Sequence, residues 1–290
     1  MSGPASTGTT RTPRARDAGG HGLAFSAVDY DGITVRKDAG VDHVAEIVLD
    51  RPDALNALNT AMGESIAAAC ADLGGDPHVR AVVLSAAGTK AFCAGADLKE
   101  RNAMTDAQIL RQREVFRAAF GGVRDLPQPT VAAVHGFALG GGCEFAMSCD
   151  IIVADENAVF GLPEVTVGLV PGGGGTQLAL RRLGTGLAAD LILTGRRVTI
   201  DEAYNIGLVA RRVPAGEARA TAIEVATTIA KNSPVAVKAA KRALRNGWGV
   251  PLDPALDIED AAWRTAALSA DRREGIAAFA EKRAPRWPGE

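Results

Sequence analysis

The chain has 290 residues, of which 32 are Lys or Arg and 34 are Asp or Glu, leaving a formal net charge of −2. That balance argues against a general polyanion binder, which carries a basic excess. No apolar run approaches the ~18 residues of a membrane-spanning helix, and a chain of this length with 47% hydrophobic residues can build its core without disulfide or metal staples. Cys70, Cys93, Cys143 and Cys149 form neither a C-x-x-C pair nor a pairing with neighbouring histidines, so neither zinc spacing nor a disulfide framework is present. A reduced, cytoplasmic protein is the expectation.

The first 22 residues are rich in Gly, Ser, Thr, Pro and Arg and nearly free of large apolar side chains. Such a segment buries too little surface to offset its ordering entropy, so residues 1–28 are expected to be a disordered tail. Arg11, Arg14 and Arg16 faintly suggest an organellar leader, but no amphipathic helix or secretory apolar region accompanies them. Order is expected from about Ile33. The alternating segments Ile33–Arg36 and Val44–Leu49 flank Asp38-Ala39-Gly40 and predict a β-hairpin. Helical spacing from Thr60 to Leu73 ends at Gly74-Gly75. Short apolar runs at Ala81–Ser85, Thr130–Val134 and Ile151–Ala154 predict buried strands, with a helix from about Thr105 to Phe120 between the first two. Alternating strands and helices indicate an α/β core over 29–215. Beyond it, 216–290 is expected to be helical. Capping signals there and just before are Thr199 with Glu202, Ser233-Pro234, and Asp271 with Glu274 opening a last helix that runs to about Lys282.

Three glycine clusters stand out. Gly172–Gly175 lacks the Lys-Ser/Thr continuation of a phosphate loop. Gly140–Gly142 lies between a strand and a helix but lacks the order of a dinucleotide fingerprint. Gly95 follows another strand, in Phe92-Cys93-Ala94-Gly95-Ala96-Asp97. All three can be simple turns. Two of them could instead present backbone N–H groups at helix N-termini, where a developing oxyanion is stabilised. Glu144 lies in the first turn after the triple glycine, and Glu164 follows Phe160-Gly161-Leu162-Pro163; both sit among apolar neighbours, where a carboxylate is costly to bury. Singly they read as a helix-dipole complement and a loop acid. Together, beside candidate oxyanion loops, they read as a general acid/base pair.

The segments Lys90–Lys99, Ala133–Glu144 and Phe160–Glu164, with Asp50–Asn56 and Glu274–Arg283, closely resemble the crotonase (enoyl-CoA hydratase/isomerase) family over about 33–283. The resemblance implies a spiral of β-β-α turns and a helical C-terminal region that mediates homotrimers, often paired into hexamers. It implies an oxyanion hole from the N–H groups of Ala94 and Gly141 and an acyl-CoA site lined by Ala94, Gly95, Ala96 and Asp97. Ala54 and Leu55 would lie near the adenine, and Lys282 would meet the CoA phosphates across a subunit boundary. It implies no metal and no cofactor beyond the CoA of the substrate itself. Asp53 stands where a basic residue is common, so a side-chain phosphate contact there is not expected. Cys93, in place of a frequent alanine, reads as a packing residue without thiolate character.

The fold alone does not fix the reaction. Glu144 and Glu164 match both glutamates of the hydratases, whereas many isomerases keep only the second; the expected reaction is hydration of a trans-2-enoyl-CoA, with Δ3–Δ2 isomerisation as the alternative. His135 and the scattered histidines do not make a dehalogenase site. The stretch Lys238–Arg245 is a modest basic face, and RNA binding is not expected from it.

Overall fold

The computed structural model describes Arg14–Ala15 and residues 27–290, with side chains from Tyr30 onward. The expected tail therefore lies almost wholly outside the described residues; within it, β1 (Arg14–Ala15) pairs antiparallel with β2 (Ala27–Tyr30). β3 (Ile33–Arg36) and β4 (Val44–Leu49) form the predicted hairpin, in the register Ile33 opposite Leu49. α1 (Thr60–Gly75) follows a short 3₁₀ turn; Asn59 caps it by accepting from Met62 N, and both terminal glycines join its last turn instead of ending it before them.

Three successive units then repeat one plan. β5 (Ala81–Ala86) and β6 (Ala91–Cys93) precede α2 (Leu98–Asn102) and α3 (Asp106–Asp125). β7 (Thr130–Val134) and β8 (Phe137–Leu139) precede α4 (Gly141–Ser148). β9 (Ile151–Asp155) and β10 (Val159–Gly161) precede α5 (Gly175–Leu183) and α6 (Thr185–Thr194). In each unit the first strand joins one sheet and the second joins another. The larger sheet runs β4, β5, β7, β9 in parallel, and the smaller runs β6, β8, β10 in parallel. β11 (Arg197–Thr199), α7 (Ile200–Asn205) and β12 (Arg211–Val213) close the spiral, β11 antiparallel to β10 and β12 parallel to β9. This is the expected spiral of β-β-α turns.

The helices α8 (Ala218–Ala230), α9 (Pro234–Gly247), α10 (Leu252–Ala267) and α11 (Ala270–Ala280) make up the C-terminal region. Ala222, Val225, Ala226 and Ala230 of α8 cover the face of the larger sheet formed by Val44, Val83, Val131 and Val153. The opposite face packs on α1, α3 and α4. With both faces covered, parallel strands read as continuous apolar runs. The hairpin departs from the alternation expected of it for the same reason: all six residues of β4 are buried, including Glu46. Its carboxylate accepts from Ser85 Oγ and Arg219 Nε, each at 2.6 Å, from Arg219 Nη2 at 2.7 Å and from Arg36 Nη1 at 3.0 Å. Burial pushes this carboxyl upward, but the Arg219 and Ser85 hydrogen bonds prevail and hold it below its ordinary range.

Two capping expectations change. Ser269, not Asp271, caps α11 by accepting from Arg272 N. Asp271 is turned inward, accepting from Ser233 Oγ at 2.6 Å and Gly289 N at 2.7 Å, so it ties the start of α9 to the chain end. In the basic stretch of α9, Lys241 is buried against Gln128 O and Asp150, and Arg245 bonds Asp150 and Ser148 O. Those two cations fasten α9 to the body and are not presented as a nucleic-acid surface. Among the described residues no helix is long and apolar enough to cross a membrane.

Candidate active site

The parallel strands β6, β8 and β10 are neighbours, so their C-terminal ends lie side by side. Each end opens a turn that carries candidate residues: Ala94–Asp97 after β6, Gly140–Glu144 after β8, and Leu162–Glu164 after β10. Glycine lets these turns approach closely. Gly140 has φ +52°, and a methyl placed on it would lie 3.1 Å from Glu164 Oε1. A methyl on Gly95 would lie 3.8 Å from Gly141 N. The two candidate oxyanion loops and the second glutamate thus converge, which sequence spacing alone could not establish.

The first loop is held by a ladder to residues 51–58. Leu58 N donates to Gly95 O at 2.8 Å, Asp97 N to Leu58 O at 2.9 Å, and Ala94 N to Leu55 O at 3.0 Å. The last of these corrects the expected donor. The Ala94 N–H is spent on Leu55, whereas the Ala96 N–H, two residues on, has no hydrogen-bond partner among the described residues. The bonds of Gly95 O and Asp97 N to Leu58 bracket Ala96 in a parallel bridge, so the Ala96 N–H faces away from residues 51–58, and Gly95, at φ +104°, reverses the sense between Ala94 and Ala96. Gly141 opens α4, where the first N–H groups lack intrahelical acceptors. The open pair is therefore Ala96 and Gly141.

Asp97 is drawn into support of this loop. Its Oδ1 caps α2 by accepting from Lys99 N and Glu100 N, and its Oδ2 meets Arg51 Nη2 at 2.9 Å. Its carboxyl lies below the usual range: burial raises it, but Arg51 and the capping bonds outweigh that. Leu55 and Asp53 border a separate cavity of about 300 Å³ that also reaches Lys90; Ala54 is half-buried beside it. Lys282 is exposed, with φ +53°, just beyond α11. Within one chain nothing joins it to the Ala96–Gly141 loops.

Glu144 is buried, and its Oε1 accepts from Gly173 N at 2.6 Å and Gly175 N at 2.7 Å. The glycine run that lacks phosphate-loop order is thus a clamp on this carboxylate. Burial raises the Glu144 pKa, while the Gly175 and Gly173 N–H bonds and the nearby Arg113 oppose the rise. Glu164 has no comparable clamp: its Oε2 is buried without a hydrogen-bond partner, and its pKa is pushed up to about 7, chiefly by burial and further by Glu144.

Above them lies α3. Phe120 would touch a methyl on either Gly141 or Gly173, and Phe120 and Phe145 have ring centroids 4.2 Å apart. One turn away, the Arg101 guanidinium lies 5.3 Å from the Phe116 ring centroid, its Nε donating to Gln112 Oε1 at 2.9 Å. Arg113 approaches Gly172. Neither arginine is legible in the sequence as part of the site, because no motif surrounds them. Cys93 is fully buried, its thiol pushed up to about 11 by burial, which suits a packing role.

A mobile proton on one carboxyl, a clamped carboxylate beside it and two open N–H groups form a set able to polarise a carbonyl and move protons at adjacent carbons. Comparisons with known proteins give the family. Residues 40–290 match the model of the family described as enoyl-CoA hydratase/isomerase. A short-chain-enoyl-CoA hydratase of Clostridium acetobutylicum is 42% identical over 240 residues, covering 83% of this chain and 92% of its own. Enoyl-CoA hydratase domain-containing protein 2, mitochondrial, of Homo sapiens is 39% identical over 285 residues, covering 97% of this chain and 96% of its own. The crystal structure of an enoyl-CoA hydratase from Bacillus anthracis superposes with a TM-score of 0.86 at 42% identity, covering 89% of this chain and all of that one.

Proposed function

The chain belongs to the enoyl-CoA hydratase/isomerase (crotonase) family, and we propose that within it this protein adds water across the C2=C3 bond of a trans-2-enoyl-CoA to give a 3-hydroxyacyl-CoA, as in fatty-acid degradation. The observation that carries the proposal is the pairing of Glu144, fixed by two backbone N–H groups, with the protonatable Glu164, whose pKa is raised by burial and by Glu144 itself. An isomerase needs one acid/base to carry a proton between carbons. A hydratase needs a second group to hold and activate water.

The thioester oxygen sits between the N–H groups of Ala96 and Gly141, whose bonds strengthen as enolate charge develops. Glu144, kept in place by Gly173 and Gly175, draws the proton from a water that attacks C3. Glu164, whose raised pKa lets it carry a proton near neutrality, delivers it to C2. Neither step draws on a metal or redox cofactor. Ala54 and Leu55 border the adenine end of the CoA, and Lys282 of a neighbouring subunit meets its phosphates in a homotrimer or a hexamer built from two trimers. Four buried, unpaired cysteines fit a reducing, cytoplasmic setting.

Dialysed protein with a chelator and crotonyl-CoA supplies the test. Loss of the conjugated-thioester absorbance with appearance of 3-hydroxybutyryl-CoA is expected. If a 3-enoyl-CoA is instead converted to its 2-enoyl isomer and no hydroxyacyl product forms with any chain length, the protein is an isomerase.

A further inference from the structure

Two arginines stand near the site, the half-buried Arg101 and the exposed Arg113, and hydration of a plain hydrocarbon chain uses neither. Arg101 is half-buried at the end of α2. Its Nε is bonded to the Gln112 amide, and its guanidinium lies over the Phe116 ring, yet it forms no ion pair among the described residues. Its remaining N–H donors have no hydrogen-bond partner among those residues. Arg113, on the same face of α3 as Phe116 and Phe120, stands beside Gly172 and likewise forms no ion pair among the described residues. Burial depresses the Arg101 pKa, and the charges of Glu100 and, less, of Glu144 and Glu164 oppose the fall.

Position along α3 gives the scale. Phe120 touches Gly141, where the thioester oxygen binds; Phe116, carrying Arg101, is four residues away, about 6 Å along a helix axis. A short acyl chain laid from the oxyanion hole along this helix would run past Phe120 and reach the guanidinium. A methyl end gains nothing from a half-desolvated cation with free donors, and covering those donors costs free energy. A carboxylate end satisfies them in the planar, two-pronged way that distinguishes arginine.

Resting on the hydratase reading, we propose that the preferred substrates are enoyl-CoAs whose acyl chain ends in a second carboxylate, and that Arg101, with Arg113 adding to the field, grips that far end. Arg101 is thus a specificity residue and takes no part in the proton transfers.

The test compares two pairs of CoA esters matched in length. Glutaryl-CoA and valeryl-CoA are saturated, so their equilibrium binding reports the far-end contact whether or not the protein hydrates anything. Glutaconyl-CoA and 2-pentenoyl-CoA report the same contact during turnover. The expected result is a preference of about tenfold or more for the dicarboxylic member of each pair, as for a hydrogen bond to a charged group in a partly desolvated site. That preference should shrink with added salt. Arg101→Met keeps the stem over Phe116 and should bring the binding ratio close to one; Arg101→Lys should restore part of it. Equal binding of glutaryl- and valeryl-CoA by the wild-type protein, or a ratio unchanged in Arg101→Met, overturns the proposal. Failure of the unsaturated pair to hydrate, with the binding ratio intact, would instead sink the hydratase reading and leave the far-end site standing.

Discussion

Glu144 and Glu164 have one side chain and two environments, and the difference assigns their tasks. Two backbone N–H groups converge on Glu144, so its geometry is fixed and the rise that burial causes in its pKa is opposed. Glu164 is left with an unpartnered buried oxygen and a pKa of about 7. Replacing either by glutamine keeps the shape and removes the proton chemistry, so each variant should lose at least ~10²-fold in turnover. Binding of a saturated acyl-CoA should change little, which steady-state kinetics beside equilibrium binding would check. The Glu164 shift also has a thermodynamic consequence. Its folded pKa lies above the ~4.3 of an unfolded glutamate, so the folded state holds the proton more tightly. That contribution is fully present below the unfolded value and is lost as pH rises through about 7. The Tm gain of Glu164→Gln over the parent should therefore be small at pH 4 and grow toward pH 8; a gain independent of pH would contradict the assigned burial. At this scale the sequence reveals both acids, because a carboxylate in an apolar run is conspicuous. It does not reveal which alanine N–H is free. Ala94 and Ala96 differ only in a hydrogen bond to Leu55 O, made by a loop about forty residues away in the chain.

At the scale of elements, the site depends on how closely α4 can approach β6. A methyl on Gly142 would lie 2.0 Å from Cys93 O, and since the obstacle is backbone it cannot swing aside. Gly142→Ala should destabilise the protein by about 2 kcal/mol or more, as overpacking in a rigid contact does. Thermal or denaturant unfolding measures this, and a variant of parental stability would show that α4 and β6 separate without cost. The individual strands are readable as β-branched runs, and the caps at Thr199 and Ser233 as short polar motifs. The allocation of alternate strands to two sheets is not readable, since apolar runs carry no information about which partner they pair with. Glu46 shows the limit most sharply. A charged residue in an alternating strand suggests a solvent face, yet Glu46 is buried, and Arg36 and Arg219, the latter from α8, reach it from the surface.

The whole molecule leaves large apolar side chains on its C-terminal helices in solvent: Phe279 is 88% exposed, Leu268 78%, Leu244 77% and Trp263 67%. Such a surface is expected where chains associate, in keeping with the trimers that the crotonase resemblance implies. Phe279→Asp should leave the fold of the single chain intact, because that ring makes few contacts within it, and should lower the oligomer mass seen by light scattering. Lys282→Ala should raise the KM for CoA esters with a smaller effect on turnover, the pattern of lost uniform binding. An unchanged KM would remove Lys282 from the CoA site. The central claim, that Glu144 and Glu164 place one water across a conjugated thioester, is tested most directly by the mass of the product formed from crotonyl-CoA in ¹⁸O-labelled water. The account predicts a 3-hydroxybutyryl-CoA heavier than the substrate by one labelled water, with the label at C3. Recovery of crotonyl-CoA unchanged, or of an unlabelled double-bond isomer, would contradict it.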